Sequence, residues 1–261
     1  MNQDSVKELL LRIENTELDF SVVFTGKKSK KVNGLYKPDS REILLHNRNF
    51  DSDNQLIYTA IHEYAHHLIN ESQGERYTGR VHNTDFWARF HGLLEKAEAD
   101  GIYSIGLDTS PELAKLTEEI RSEYLEGNGR AMQQFGRLLV KAQQLCLEAG
   151  IRYEDYIDRV LKIPRSSAKS VIKVSSVEVN PAVGYDNMKM LSGISSAEKR
   201  AAAEQQLAAG HSPDMVKVSA RRNPEPEDPR ERLEKEKRRL EKTISMLTSR
   251  LEQVERSLGE M

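Results

Sequence analysis

The residues best suited to chemistry are two histidines and a glutamate, His62, Glu63 and His66, which follow the spacing H-E-x-x-H. On an α-helix, residues four positions apart lie above one another, so the two imidazoles can bind one metal ion. Catalytic zinc takes three protein ligands and leaves one position for water, whose pKa falls to about 7. Glu63, next to His62, is suited to accept the proton of that water. Because a purely structural site has no use for this carboxylate, the spacing predicts a hydrolytic zinc site.

The segment that carries this motif is predicted to be a buried helix from about residue 52 to residue 70. Apolar residues recur along it at the positions of one helical face, and a surface helix with scattered histidines would lack them. These residues are Ile57, Ile61, Ala65, Leu68 and Ile69.

A third ligand is expected shortly after this helix, and His82 is the first candidate. It stands just before a second helix, predicted to begin with Asn83 or Thr84 as its N-cap. Phe86 and Trp87 in the first turn of that helix would hold His82 against the metal helix. The other candidates for the third ligand are Glu95, Glu98, His91 and Asp85. Of the remaining histidines near the motif, His46 is expected to end a strand and His67 to be a surface or packing residue.

The elements before the motif predict a small α+β arrangement. Residues 4–15 have the apolar period of an amphipathic helix, and residues 20–24 and 42–46 have the composition of strands. Residues 30–36 are a weaker strand, interrupted by Gly34, and a turn is expected at 37–40. An edge strand beside the metal helix could hold an extended peptide by main-chain hydrogen bonds.

The motif His62-Glu63-Tyr64-Ala65-His66, followed by His82-x-x-x-Phe86-Trp87, resembles the SprT-like zinc metallopeptidases, which have a Spartan-type zincin domain. The resemblance covers about residues 1–105. It implies that His62, His66 and His82 bind zinc and that Glu63 is the general base. Many members carry a C-terminal zinc ribbon, which the single cysteine, Cys146, excludes here. A looser resemblance connects the chain to the ImmA/IrrE-type metallopeptidases, which act near a helix-turn-helix repressor.

The segment after the motif region is predicted to be helical. Ser110 and Pro111 are typical of a helix start, and Glu126-Gly127-Asn128-Gly129 of a helix end. The first of two helices has an apolar stripe at Leu113, Leu116, Ile120 and Tyr124. The second ends at Gly150 and directs inward Met132, Phe135, Leu138, Leu139, Ala142 and Leu145.

Residues 153–161 and 166–174 form two short helices with a tight turn between them, a layout typical of helix-turn-helix DNA readers. The second helix would present Lys169 and Lys173, with Arg165 just before it. Between residues 137 and 173 there are eight Lys or Arg and four Asp or Glu, a local balance of 8 − 4 = +4. This segment therefore predicts either a DNA contact or an ordinary helical bundle with a solvated basic face.

The C-terminal part of the chain is predicted to contain a helix near residues 201–209, then a proline-rich linker at 222–229 and a coiled coil. Two apolar seams recur every seven residues. The first seam is Leu233, Leu240, Leu247, Val254 and Met261. The second is Ile244, Leu251 and Leu258, with Lys237 as its one polar position. The heptads predict a partner helix, with a homodimer as the first expectation.

Composition excludes several classes of protein. The chain has 261 residues, a net charge of −2 and 31% charged residues, so it has no global attraction to nucleic acid or membrane. No segment has the apolar length of a membrane span, no export signal is visible, and a cytoplasmic location is expected. Cys146 is expected to be buried. The predicted domains are a zincin-like domain (1–107), a helix-turn-helix-like domain (108–178), an appendage with its linker (179–228) and the coiled coil (229–261).

The sequence thus favours a zinc metallopeptidase that acts on DNA-associated or partner proteins. The alternatives are a DNA-binding regulator with a regulatory metal site, and a scaffold held by its coiled coil with a vestigial site. Tyr64, Tyr77 and Tyr103 are the candidates for stabilising the oxyanion of the reaction, and the sequence does not choose among them.

Overall fold

The computed structural model describes residues 1–73 and 82–221 and some positions between 233 and 256. The N-terminal part of the protein is an α+β arrangement. It is built from helices on a small sheet. Its elements are α1 (Gln3–Ile13), β1 (Ser21–Phe24), β2 (Gly34–Lys37), β3 (Glu42–Leu45), α2 (Asp53–Gln73) and α3 (Thr84–Ala99).

The three strands lie in the order β1-β3-β2, so β2 is an edge strand. β1 pairs with β3 in parallel, and β2 pairs with β3 antiparallel. The predicted weak strand therefore exists, but Gly34 begins it rather than interrupting it, and it ends at Lys37. The turn that follows contains Arg41, whose φ of 52° is in the left-handed region.

Helix α2 lies at the centre of the N-terminal core. Its inner residues Ile61, Tyr64 and Ala65 are fully buried, in agreement with the predicted apolar face. They pack with α1, α3 and one face of the sheet. The motif is therefore held by a rigid helix with neighbours on several sides.

The predicted helix end at residues 126–129 is wrong. Helix α4 (Pro111–Glu119) continues through a π-helical segment (Ile120–Glu126) into α5 (Gly127–Glu148) without leaving helical backbone angles. Gly129 is buried in this helix because the chain at Pro181 packs against it, and a Cβ there would lie 2.6 Å from the carbonyl oxygen of Pro181. The glycine permits a close approach and does not terminate the helix.

The inner face predicted for α5 is only partly right. Leu139 and Cys146 are buried, but Leu138 and Leu145 are 57% and 53% exposed. The buried face contacts α7 (Arg165–Ser175), and Gly136 touches Ser175 there. α7 is the main partner of α5, and apolar residues beside the stripe that it covers stay exposed.

The two predicted short helices and the turn between them are present. A short helix, α6 (Tyr153–Asp155), continues as a π-helical segment (Tyr156–Leu161) and is followed by a turn and α7. Lys162 turns the chain with a φ of 54°.

Three helices follow: α8 (Tyr185–Leu191), α9 (Ala197–Ala208) and α10 (Pro213–Ala220). α9 corresponds to the predicted helix near 201–209, whereas α8 and α10 were not expected. α10 packs against α3, far back along the chain. Met1–Ala220 forms one compact unit, within which the domain boundaries at 107 and 178 stay predictions.

The second unit, Arg221–Met261, contains the heptads. The described heptad positions are helical and largely exposed: Leu233, Leu240, Ile244, Leu247 and Leu251. The predicted linker at 222–229 and the heptad residues Val254, Leu258 and Met261 lie outside the described residues. Among the helices that the structure describes, none has the length and apolar character needed to cross a membrane.

Candidate metal centre

Three histidine side chains converge at the surface of α2. Nε2 of His82 lies 3.1 Å from Nε2 of His62 and 3.2 Å from Nε2 of His66. All three ligand atoms lie within 4.8 Å of one another. In the described part of the chain, this is the only group of three His, Cys, Asp or Glu side chains placed to hold a metal ion.

The spacing of the three nitrogens fits a zinc ion. Tetrahedral zinc with Zn–N distances of about 2.0–2.1 Å places its ligand nitrogens roughly 3.3–3.4 Å apart. Each nitrogen of a neutral imidazole carries either one N–H or one lone pair, so three nitrogens that converge on one point cannot all be paired by hydrogen bonds to one another. A metal cation at that point can accept a lone pair from each of them.

Aromatic residues at the start of α3 hold His82 in place. The Asn83 side chain caps the helix by accepting a hydrogen bond of 2.9 Å from the Phe86 backbone N–H. Phe86 is fully buried and stacks on His66, with ring centroids 4.3 Å apart. Trp87 stacks on His82 at 5.6 Å. Phe86 also lies edge-on to His62 at 4.9 Å and to His82 at 4.7 Å, so the expected anchors contact all three histidines.

The other candidates for the third ligand lie apart from this group or have other partners. Glu95 accepts a hydrogen bond from His211 Nδ1 at 2.9 Å, and His91 Nδ1 lies 2.8 Å from the Ser212 hydroxyl. Asp85 is in the first turn of α3. Glu98 is exposed near the end of that helix.

Burial gives His62 and His66 the protonation state that metal binding needs. Desolvation, helped by the charge of His82, lowers the pKa of His62 to about 4. Desolvation and the neighbouring His62 and His82 lower the pKa of His66 to about 3. Both imidazoles are therefore neutral at pH 7 and have free lone pairs.

Glu63 is buried beside the triad. Glu63 is 7% exposed. Desolvation raises the pKa of its carboxyl group to about 7, although a hydrogen bond from the backbone N–H of Tyr36 acts to lower that pKa. A carboxyl group with this pKa exchanges protons readily at neutral pH.

Gly34 makes room for the Glu63 side chain. A Cβ at Gly34 would lie 2.9 Å from both Cγ and Oε1 of Glu63 and 2.9 Å from Cγ2 of Thr59. Any larger residue would force one of these groups to move. The absence of a side chain at the start of β2 therefore leaves the space that the Glu63 side chain occupies.

The triad and Glu63 open into a cleft of about 620 Å³ between α2 and β2. One wall is the strand and its flanks, Val32–Tyr36 and Pro38, and the other is the outer face of α2 with Tyr58, Ile69 and Asn70. The backbone N–H of His46 donates to the carbonyl of Asn33 at 2.9 Å. In an antiparallel pair of strands, every second residue forms backbone hydrogen bonds to the partner strand. Residues 33, 35 and 37 therefore form hydrogen bonds to β3 and the segment that follows it, whereas the backbone N–H and carbonyl groups of Gly34 and Tyr36 point away from β3.

Of the three tyrosines expected to stabilise an oxyanion, the two that the structure describes, Tyr64 and Tyr103, do not lie in the cleft. Tyr64 is fully buried, and its hydroxyl donates to the carbonyl of Glu14 at 2.6 Å. Tyr103 packs near Tyr58, with ring centroids 6.0 Å apart, and does not line the cleft. Tyr77 lies outside the described residues. Tyr58, which the sequence analysis missed, lines the cleft one turn before His62, and that spacing of four was the available signal.

His67 is a packing residue, which is one of the two roles expected for it. It is fully buried, its Nδ1 lies 3.1 Å from the Tyr36 hydroxyl, and its Nε2 lies 3.0 Å from the carbonyl of Leu18. Because a carbonyl only accepts, Nε2 carries the proton and Nδ1 accepts from Tyr36. His67 thereby ties β2 to the back of α2.

The residues considered for DNA contact lie on α7. Lys169 and Lys173 are exposed. Arg165 donates to both carboxylate oxygens of Asp158, with Nε at 3.1 Å from Oδ1 and 2.9 Å from Oδ2. Part of the expected positive charge is therefore neutralised within the fold.

Comparison of the chain with protein-family models, with curated proteins and with solved structures finds no match.

Proposed function

We propose that the chain is a zinc-dependent metallopeptidase of the SprT-like type, with His62, His66 and His82 as the zinc ligands. The observation that carries the proposal is the convergence of three Nε2 atoms beside a buried carboxyl group in an open cleft. When bound there, zinc supplies a Lewis acid that polarises a peptide carbonyl and acidifies a water molecule.

Glu63 is the proton carrier in this proposal. Its carboxylate accepts the proton of the attacking water and then delivers it to the leaving amine. Burial supports this role because a pKa of about 7 suits both steps at neutral pH. Gly34 has no chemical role in this proposal, but its missing side chain lets the carboxylate pack against the strand that borders the cleft.

The edge strand β2 is suited to hold the substrate. The outward N–H and carbonyl of Gly34 and the outward carbonyl of Tyr36 border the cleft, while the N–H of Tyr36 is held by Glu63. An extended peptide can add to such an edge by main-chain hydrogen bonds. This mode would hold the peptide beside Glu63 without a requirement for particular side chains at most positions.

The test is the Glu63→Gln variant, which removes the proton acceptor and leaves the three ligands. We expect purified wild-type protein to contain about one zinc ion per chain and to cleave an unfolded protein substrate. The variant should keep its zinc and lose activity by about 10²–10⁴-fold. Metal analysis and a peptide-cleavage assay measure the two quantities. A Glu63→Gln protein with wild-type activity would exclude Glu63 from the mechanism.

A second candidate function is DNA binding by the helix-turn-helix layout of α6, its π-helical extension and α7. The supporting observation is that Lys169 and Lys173 are exposed on the second helix of that layout. Replacing both by Gln should reduce the salt dependence of DNA affinity by about 2 units of log K per log salt. A gel-shift titration of the full chain on random duplex at two salt concentrations measures this. No shift at low salt would contradict the DNA-binding function.

A further inference from the structure

A strongly basic loop leads into the strand that borders the cleft. Residues 27–31 read Lys-Lys-Ser-Lys-Lys, and all four lysines are exposed. Arg48, from the segment beneath the loop, is exposed as well. In the part of the chain that the structure describes, none of these five side chains forms an ion pair or a hydrogen bond.

The loop has a defined conformation, set by two asparagines of the 3₁₀ turn at Asn47–Asn49. Asn49 accepts from the backbone N–H of Ser29 at 2.9 Å and donates to its carbonyl at 2.8 Å. Asn47 accepts from the backbone N–H of Gly26 at 3.0 Å. The lysines are therefore presented together despite their mutual repulsion, and a ligand of opposite charge would relieve that repulsion.

The loop continues directly into the proposed peptide-binding edge. Val32 and Asn33, which follow it, line the cleft, and Gly34 stands level with Glu63. A peptide that adds antiparallel to β2, the commoner pairing, runs towards lower residue numbers of the strand. Its residues on the C-terminal side of the bond next to Glu63 would then approach Lys27–Lys31.

We propose that this loop selects polypeptide substrates with acidic residues on the C-terminal side of the cleaved bond. The proposal rests on the proposed peptidase function. A peptide is favoured over a nucleic acid because the charges lie in a single loop that is continuous with the peptide-binding edge. The net charge of −2 also gives the whole molecule no attraction to a phosphate backbone.

The experiment compares three peptides in the zinc-loaded full chain at low salt. They share one cleavable core and carry three aspartates after the cleaved bond, three aspartates before it, or three asparagines after it. We expect kcat/KM to be about tenfold higher for the first peptide than for the other two, as two or three exposed ion pairs would give. The preference should fall as salt rises.

Two matched variants locate the preference. Lys27→Gln/Lys30→Gln/Lys31→Gln should remove the tenfold preference and leave cleavage of the asparagine peptide unchanged. Lys162→Gln/Lys169→Gln/Lys173→Gln removes three exposed lysines from the helical half of the chain and should preserve it. A Lys27→Glu/Lys30→Glu/Lys31→Glu protein should prefer a peptide with three lysines after the cleaved bond.

The outcomes separate this proposal from the peptidase function. Equal cleavage of all three peptides, or a preference for aspartates before the bond, would overturn the substrate proposal and leave the peptidase intact. Binding of the aspartate peptide to Glu63→Gln protein, measured by fluorescence anisotropy, tests the loop without any hydrolysis. If the lysine variant instead loses affinity for duplex DNA and keeps its peptide preference, the loop is a nucleic-acid contact and the proposal is wrong.

Discussion

Among single residues, Gly34 and Glu63 form the contact on which the proposed chemistry depends most closely. The carboxyl group of Glu63 would collide with any Cβ at Gly34. It is also held by the backbone N–H of Tyr36 on the same strand. The strand therefore positions the proposed general base, in addition to bordering the cleft.

We expect Gly34→Ala to lower peptidase activity by about a hundredfold without loss of zinc, because a displacement of the base by about 1 Å has an effect of this order. Zinc analysis and kcat measured on one sample test both parts. Gly92→Ala is the matched control: a Cβ there meets only Met215 Cε, at 3.8 Å. Gly34→Ala with full activity would show that the contact does not position Glu63.

The third ligand is tested by removing His82. His82→Ala should lower zinc affinity by at least about a hundredfold, because two imidazoles hold zinc poorly. His91→Ala is the control: its ring bonds to the Ser212 hydroxyl instead of joining the triad, so that variant should retain the metal. Titration against a zinc chelator measures both affinities. An unchanged zinc affinity in His82→Ala would mean that the third ligand is Glu95, Glu98 or Asp85.

At the scale of elements, Glu14 joins α1 to α3 just behind the metal helix. Its carboxylate accepts from Arg89 Nη1 at 3.2 Å and from Lys96 Nζ at 2.6 Å. Burial raises its pKa, but the hydrogen bonds and charges of Lys96 and Arg89 outweigh burial and bring the pKa below its ordinary 4.5. Its backbone carbonyl also accepts the hydroxyl of Tyr64, which lies on α2.

Because the folded-state pKa of Glu14 is lowered, its stabilisation is present above pH 4.5 and is lost as the pH falls through the folded-state value. We expect Glu14→Gln to reduce the free energy of unfolding by about 1 kcal/mol at pH 7. Denaturant titrations of wild type and variant should converge as the pH drops towards 3. A difference that is the same at pH 7 and pH 3 would contradict the ion-pair origin.

At this scale, the sequence predicts the elements that local interactions determine and does not predict the arrangements that depend on contacts between distant residues. The metal helix and the two strands flanking β2 in the chain were predicted closely, because apolar period and caps are local signals. The order β1-β3-β2 and the packing of α10 on α3 depend on contacts between distant residues. Gly129 was misread because a glycine that ends a helix and one that admits a close neighbour look alike in sequence.

The same limit applies to the site. His62, Glu63 and His66 follow from spacing alone, and His82 from its position before Phe86 and Trp87. The contact between Gly34 and Glu63 joins a strand to a helix, and the two residues are 29 positions apart in the chain. No local sequence pattern predicts such a contact. The basic loop at 27–31 was visible in the sequence. Its relation to the cleft emerged only once β2 was placed at the sheet edge.

At the scale of the whole molecule, the exposed leucines of the second unit predict association through the heptads. Leu240 and Leu247 are 52% and 63% exposed. We expect the full chain to be a dimer and Leu240→Asp/Leu247→Asp to be a monomer that keeps its zinc, because a charge in the seam opposes helix pairing. Sedimentation velocity measures the mass. Ser245→Asp, outside the seams, should remain dimeric, and a monomeric wild type would contradict the coiled coil.

The stacking of Trp87 on His82 also gives the molecule an optical reporter. Trp87 is the only tryptophan in the chain, and its ring stacks on His82 at 5.6 Å and on His91 at 6.0 Å. Indole emission responds to its immediate surroundings, so loading the neighbouring imidazole with a metal should change the intrinsic fluorescence. The signal should saturate at about one equivalent of zinc in wild type. It should be absent in His82→Ala, which makes occupancy readable in an unlabelled sample before any substrate is known.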